Sequence, residues 1–203
     1  MKKNKISKNW INKQKKDIYI RRSKLEGYRS RAVYKLKEIH EKYKIFENGS
    51  SVIDLGAAPG SWSQYLVKNF KNIKVASIDL KNMENIKNVF FIKGDFTNNL
   101  YQKQISQYFK EKVDVVISDM AANTTGNKNL DSIVTGELCI ESMKFAKERL
   151  KRNGQFVSKL FMGSTFNEIL KFSKGIFKET KIFKPPASRK DSKESFLISK
   201  FLR

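Results

Sequence analysis

The sequence predicts an α/β domain, a mostly parallel sheet flanked by helices that alternate with its strands. Three observations carry that prediction. Short β-branched runs recur along the chain, four of them end at or just before an aspartate, and stretches of helical periodicity separate them. At 203 residues the chain is long enough for one complete core of this kind and short for two domains. A single domain over residues 29–203 is therefore expected, preceded by a basic extension over residues 1–28.

That extension is basic and polar with Trp10, Tyr19 and Tyr28 interspersed, a composition suited to gripping phosphates and stacking bases. It is expected to be partly ordered and folded over the substrate face. From Arg29 to Tyr43, residues Ala32, Val33, Leu36 and Ile39 recur at helical spacing, with Ser30 placed to cap the helix. Lys35 stands at the border of that stripe, where a lysine is ordinarily a solvated flank residue. Asn48-Gly49 turns the chain into a first strand, 51–55.

Val52-Ile53-Asp54-Leu55 then meets Gly56-Ala57-Ala58-Pro59-Gly60-Ser61-Trp62-Ser63, a strand, a tight turn and a helix start. Gly56 and Gly60 are expected to let the backbone come close to a ligand. The free N–H groups of a helix beginning near Ser61 suit an anion. The Gly-x-x-x-Gly spacing departs from the Gly-x-Gly-x-x-Gly of dinucleotide binders and lacks the glycine that admits a pyrophosphate. A nucleoside ligand without phosphate fits better, and S-adenosylmethionine is the common one.

A second run, 75–80, ends in Asp79-Leu80, and Asp79 follows Gly60 by nineteen residues, close to the distance at which a carboxylate meets a ribose. A third run, 89–92, leads to Gly94-Asp95, and a fourth, 113–119, ends in Asp119. A parallel sheet brings Asp54, Asp79, Asp95 and Asp119 to one carboxyl edge, where ligands bind. The loop 123–127 is expected to border the site. A long helix is expected over 131–151, ended by Asn153-Gly154. The next strand, 155–161, carries Lys159 inside an apolar run, and a lysine there is costly to bury unless paired or functional. A helix through Phe166, Ile169 and Phe172, a run through Ile182 and Phe183, and the stiff basic loop Pro185-Pro186-Ala187-Ser188-Arg189 follow. A last strand lies within 194–202 and opens with Glu194.

Composition narrows the chemistry. The formal net charge is +22, and residues 1–31 hold twelve Lys/Arg against two acids, so the charge is clustered and points to nucleic acid. Arg21, Arg22, Arg29 and Arg31 lie within eleven residues. No apolar run approaches the length of a membrane span, and no secretory signal follows the basic start, so a cytoplasmic protein is expected. One cysteine, Cys139, and one histidine, His40, exclude a disulfide framework, Cys-x-x-Cys or His-based metal sites and Ser-His-Asp chemistry.

With these residues in view, the chain from about Trp10 to Leu202 strongly resembles the FtsJ-like ribosomal RNA 2′-O-ribose methyltransferases. The resemblance is carried by Gly27-Tyr28-Arg29-Ser30-Arg31-Ala32 with Tyr34-Lys35-Leu36, by Asp54 to Gly60 with Trp62-Ser63-Gln64, and by Gly94-Asp95-Phe96. It continues through Ser118-Asp119-Met120-Ala121, Lys159, Ser188-Arg189 and Ser192-Lys193-Glu194. The glycine loop alone indicates only a methyltransferase, whereas the ordered set Lys35, Asp119, Lys159 and Glu194 matches the Lys-Asp-Lys-Glu tetrad of ribose 2′-O-methyltransferases. Two positions depart from the pattern: Ala122 stands where relatives often have Pro, and Ser61 where they often have Gly.

The resemblance implies a Rossmann-like, class I S-adenosylmethionine-dependent fold with a seven-stranded sheet. It implies methyl transfer to a ribose 2′-hydroxyl by in-line displacement, with Lys159 as general base, Asp119 orienting it, and Lys35 and Glu194 holding the tetrad and the ribose. It assigns Gly60 and Trp62 to the methionine end of the cofactor, Asp79 to its ribose and Asp95 to its adenine, with Asp119 near the methionine moiety and Gly56 also among the cofactor-binding residues. No metal is required. Arg21, Arg22, Arg29, Arg31 and Arg189 are the expected RNA contacts. The implied substrate of this compact branch is a uridine in the A-loop of large-subunit ribosomal RNA, modified in the assembled subunit by a monomeric enzyme. Relatives acting on tRNA or mRNA caps share the tetrad, so a tRNA substrate stays open. A non-catalytic assembly factor would need no buried lysine, and a dinucleotide-dependent oxidoreductase would need Gly-x-Gly-x-x-Gly.

Overall fold

A computed structural model describes residues 17–121 and 127–203. Within them the expected alternation is realised as one seven-stranded sheet of order β3-β2-β1-β4-β5-β7-β6. Its strands are β1 (Ser51–Leu55), β2 (Lys74–Asp79), β3 (Val89–Lys93), β4 (Val113–Ser118), β5 (Leu150–Phe161), β6 (Phe177–Phe183) and β7 (Glu194–Leu202). The pairs β1–β2, β2–β3, β1–β4 and β4–β5 are parallel, whereas β7 runs antiparallel to both β5 and β6. The order reverses between β1 and β4, which opens a crevice at their carboxyl ends.

The central strands read as continuous apolar runs because both of their faces are covered. Along β1, Val52 packs toward the helices α2 (Val33–Tyr43) and α3 (Ser61–Asn69), while Ile53 and Leu55 face the opposite layer. That opposite layer is α4 (Asn99–Phe109), α5 (Lys128–Arg149) and α6 (Phe166–Ile176). The same two-residue alternation sends Val115 and Val157 one way and Val116 and Phe156 the other. A short helix, α1 (Ile18–Leu25), is capped by the Asp17 side chain and joined to the first layer by Tyr19, whose ring lies 5.2 Å from that of Tyr34. Among the described residues no helix is long and apolar enough to cross a membrane.

Several elements differ from expectation. The helix foreseen from Arg29 begins only at Val33, and Ser30 is not its cap: its hydroxyl accepts the Ala32 N–H and bonds the Ser61 hydroxyl at 2.8 Å. The helix foreseen over 131–151 spans 128–149, and Asn153-Gly154 does not end it. β5 starts at Leu150, and these two residues lie in an irregularity between the pairs Val113–Leu150 and Val115–Gln155. Helix α4 has no counterpart in the sequence reading, although its signals exist in the Asn98 cap on Leu100 N–H and the buried pair Ile105 and Phe109. Trp10, Ala122 and the loop residues 123–126 lie outside the described residues.

Candidate active site

The register of the sheet fixes where the charged residues meet. Ser118 ends β4 opposite Leu55 on one side and Ser158 on the other, so Asp119 emerges between the glycine loop and Lys159. Lys159 is 7% exposed, and its Nζ donates to Asp119 Oδ1 at 2.9 Å and to the Asp119 carbonyl at 2.6 Å. From the other side Lys35 donates to Glu194 Oε2 at 2.7 Å and stands 3.8 Å from Asp119 Oδ2. Glu194 is held in turn: Ser188 Oγ donates to its carboxylate at 2.7 Å, and its own N–H donates to Ser192 Oγ. The four residues named from the sequence therefore form one chain of contacts, Glu194–Lys35–Asp119–Lys159.

Two lysines and two carboxylates give the cluster no net charge, which is how charges tolerate burial. Burial alone would raise the Asp119 pKa, but the ammonium groups of Lys159 and Lys35 outweigh it and hold the carboxyl below its ordinary value. Burial likewise disfavours a charged Lys35, yet Asp119 and Glu194 more than compensate, and its pKa is raised. Lys35 thus stays an ammonium and shares Asp119 with Lys159.

The glycine loop lies beside this cluster. A cleft of about 80 Å3 is lined by Ser30, Ala32, Asp54, Gly56 to Pro59, Ser61, Trp62 and Asp119. Both glycines also lie tight against neighbouring side chains. A Cβ on Gly56 would fall 2.2 Å from Met120 Cγ, and one on Gly60 would fall 2.6 Å from Met83 Sδ. Both also hold φ values of +71° and +105°, which suit glycine. Trp62 lines the cleft with its indole locked, Nε1 donating to the Ala32 carbonyl at 2.8 Å. Asp79, at the end of β2, accepts the Ala58 and Lys81 N–H groups and braces the loop from outside the cleft. Asp95 is exposed beyond β3, accepts from Thr97, and does not reach the cleft lining.

Asp54 is 1% exposed and receives a 2.6 Å bond from Ser63 Oγ, which also bonds Ser77 Oγ. Burial pushes its carboxyl up to about 7, with Asp119 and Asp79 adding to the effect and the Ser63 bond opposing it. Among the described residues no cluster of His, Cys, Asp and Glu could hold a metal ion. A cleft with uncapped N–H groups at the start of α3 and carboxylates on two sides fits the amino-acid end of a nucleoside cofactor.

On the other side of the cluster a larger cavity, about 280 Å3, is lined by Ser30, Arg31, Ala32, Lys35, Arg189, Ser192 and Glu194. Ser30 and Ala32 line both spaces, so the tetrad sits where two cavities adjoin. The arginines divide by what they touch. Arg21 is exposed and Arg22 is exposed with an ion pair to Glu26 at 2.6 Å. Arg31 is bound to Asp17 and the Ala187 carbonyl, and Arg189 stands 3.9 Å from the same Asp17. Arg29 turns inward: its guanidinium donates to the carbonyls of Pro59, Glu84 and Asn85 at 3.0, 2.8 and 3.1 Å, strapping the glycine loop to the β2–β3 loop. Sequence reasoning gave no role to Asp17 or Ser63 and read Ser30 only as a helix cap, because their contacts with Arg31, Ser77 and Ser61 join residues fourteen or more positions apart.

An open crevice at a topological switch point, a glycine loop of nucleoside type and a buried Lys-Asp-Lys-Glu chain define a methyltransferase site. The sequence profile of the FtsJ-like methyltransferases matches residues 28–201, and the chain belongs to that family. It is 63% identical over 203 residues, all of both chains, to a ribosomal RNA large subunit methyltransferase E of Pelagibacter ubique (strain HTCC1062). A methyltransferase of the same description from Rickettsia akari (strain Hartford) is 45% identical over 199 residues, 95% of this chain and 88% of the relative. Among solved structures, a Plasmodium falciparum chain described as a ribosomal RNA methyltransferase superposes with a TM-score of 0.78 at 31% identity, covering 86% of this chain and 98% of its own. A Streptococcus mutans methyltransferase fold in complex with SAH superposes with a TM-score of 0.51 at 16% identity over 84% of this chain and 96% of its own, a likeness of fold alone.

Proposed function

We propose that this methyltransferase uses S-adenosylmethionine to methylate a ribose 2′-hydroxyl of large-subunit ribosomal RNA, on a uridine of the A-loop, in the assembled subunit. The observation that carries the reading is the Glu194–Lys35–Asp119–Lys159 chain at the junction of two cavities. Its relatives' description as ribosomal RNA large subunit methyltransferases supports the choice of RNA. When bound, the cofactor supplies an electrophilic methyl group. Gly56, Ser61, Trp62 and Asp119 hold its methionine end, with Gly60 shaping the turn, Asp79 placed for its ribose and Asp95 for its adenine.

The target nucleoside takes the larger cavity, whose volume is of the order a nucleoside needs. Lys159 Nζ is the proton acceptor for the 2′-hydroxyl, a role that requires its ammonium to shed a proton before the transfer, and Asp119 fixes its direction. Lys35 and Glu194 position the ribose from the other side. Arg21, Arg22, Arg31 and Arg189 hold the RNA backbone, while Arg29 acts on the RNA only through the loop it straps. Variants of the four RNA-facing arginines should weaken RNA binding less at high salt than at low salt. A binding constant indifferent to salt would remove them from the interface.

The test is methyl transfer from labelled S-adenosylmethionine to purified large subunits, free ribosomal RNA and bulk tRNA. Label in alkali-resistant ribose of subunits is the expected result. Label in tRNA instead would keep the chemistry and overturn the substrate. Binding to subunits without transfer would favour an assembly factor.

A further inference from the structure

The tetrad occupies one end of the sheet face covered by α2 and α3, and a second basic concavity opens farther down that face. A groove of about 210 Å3 lies between the last turn of α2 and strands β6 and β7, lined by Lys42, Tyr43, Glu179, Lys181, Ile198 and Lys200. In the ladder Lys181 pairs with Ile198 and Glu179 with Lys200, so these side chains share a face. Lys200 Nζ is anchored by the Tyr43 carbonyl at 2.7 Å, and the Lys42 ammonium sits 4.3 Å from the centre of the Phe183 ring. Burial lowers the Lys200 pKa, Lys181 pushes the same way, and Glu179 only partly offsets them. Neither Lys42 nor Lys181 has a salt bridge to a carboxylate among the described residues. Three lysines thus surround one glutamate, which leaves the groove with a net positive charge open to an anion.

The spacing selects the anion. Lys42 is seven residues beyond Lys35 on α2, roughly 10 Å along the helix axis. Lys200 is four residues along β7 from Phe196, the partner of Lys159, or about 13 Å. Those distances keep the groove within a few nucleotides of the tetrad. We propose that this groove is a second RNA contact, gripping backbone phosphodiesters a few nucleotides from the one in the tetrad. The proposal rests on the RNA reading given above.

The test replaces Lys42→Glu together with Lys181→Glu in the full chain. A control pair, Lys103→Glu with Lys147→Glu, makes the same charge change on exposed positions of α4 and α5, against the opposite face. The groove variant should raise the KM for large subunits and the Kd for protein-free large-subunit RNA about tenfold, and flatten the salt slope by about two. Its kcat and S-adenosylmethionine affinity should equal wild type, and the control pair should change either quantity less than twofold. A groove variant that merely tracks the control would overturn the proposal. A KM that rises for subunits while the affinity for free RNA is unchanged would also overturn it, in favour of an acidic protein segment. Failure of the underlying reading shows separately, as wild-type enzyme that transfers no methyl to subunits, and the RNA binding comparison still decides the groove.

Discussion

The two halves of the sheet build their halves of the site by different means. In the parallel half, β3-β2-β1-β4, Asp54, Asp79 and Asp95 stand at or near the ends of their own strands and bind groups of the loops and helix that follow those strands: Asp79 with Ala58 and Lys81, Asp95 with Thr97, Asp54 with Ser63. In the antiparallel half, β5-β7-β6, Lys159 and Glu194 come from strands running in opposite directions, and their partners Asp119 and Lys35 lie 40 and 159 residues away in the chain. The first half makes a glycine loop braced by acids, and the second makes a buried chain of ion pairs. One is robust to single changes because backbone amides carry it, and the other fails when any link is removed.

The harshest break of that contrast is Lys159→Ala. Loss of a proton acceptor should lower kcat on the order of 10³-fold, while cofactor affinity, measured by calorimetry, stays within a few-fold of wild type. Retained transfer by Lys159→Arg would remove the general-base role. Next in size, Glu194→Gln frees Lys35 from its 2.7 Å partner and leaves it to Asp119 alone, so single-turnover rates should fall roughly 10- to 100-fold. An unchanged rate would show that Lys35 needs no second carboxylate.

Arg29→Lys sharpens the comparison from the cofactor side. A lysine cannot span three carbonyls, so the KM for S-adenosylmethionine should rise up to about tenfold at constant kcat, with the salt slope of RNA binding unaltered. A changed slope would return Arg29 to the RNA interface. The smallest effect on activity is expected from Asp54→Asn, which mimics the protonated acid. With its carboxyl raised from 3.8 to about 7, the folded protein binds the extra proton between those values, so this group makes stability fall as pH rises from about 4 to 7. Urea unfolding across that range should show that slope in wild type and lose it in the variant.

The contrast between the halves also marks what was legible. The acids of the parallel half were readable because run, turn and aspartate are contiguous, and a parallel sheet sends every such end to one edge. Lys159 was visible as a cation in an apolar strand, and Lys35 and Glu194 only through their resemblance to a known tetrad. The start of α2 was misread because Ala32 continues the helical spacing, while the Ser30 hydroxyl turns the chain instead.

By itself the sequence determined the alternation of elements, the basic character of the chain and the glycine loop with its strand-end acids, since these depend on periodicity, composition and neighbours a few residues apart. Tertiary structure alone decided that Lys35 shares Asp119 with Lys159, that Asp17 binds Arg31 and stands beside Arg189, and that Arg29 straps the glycine loop. Those are contacts between side chains brought together by strand order and by the reversal of β7, and no local pattern in the chain encodes the distance between them.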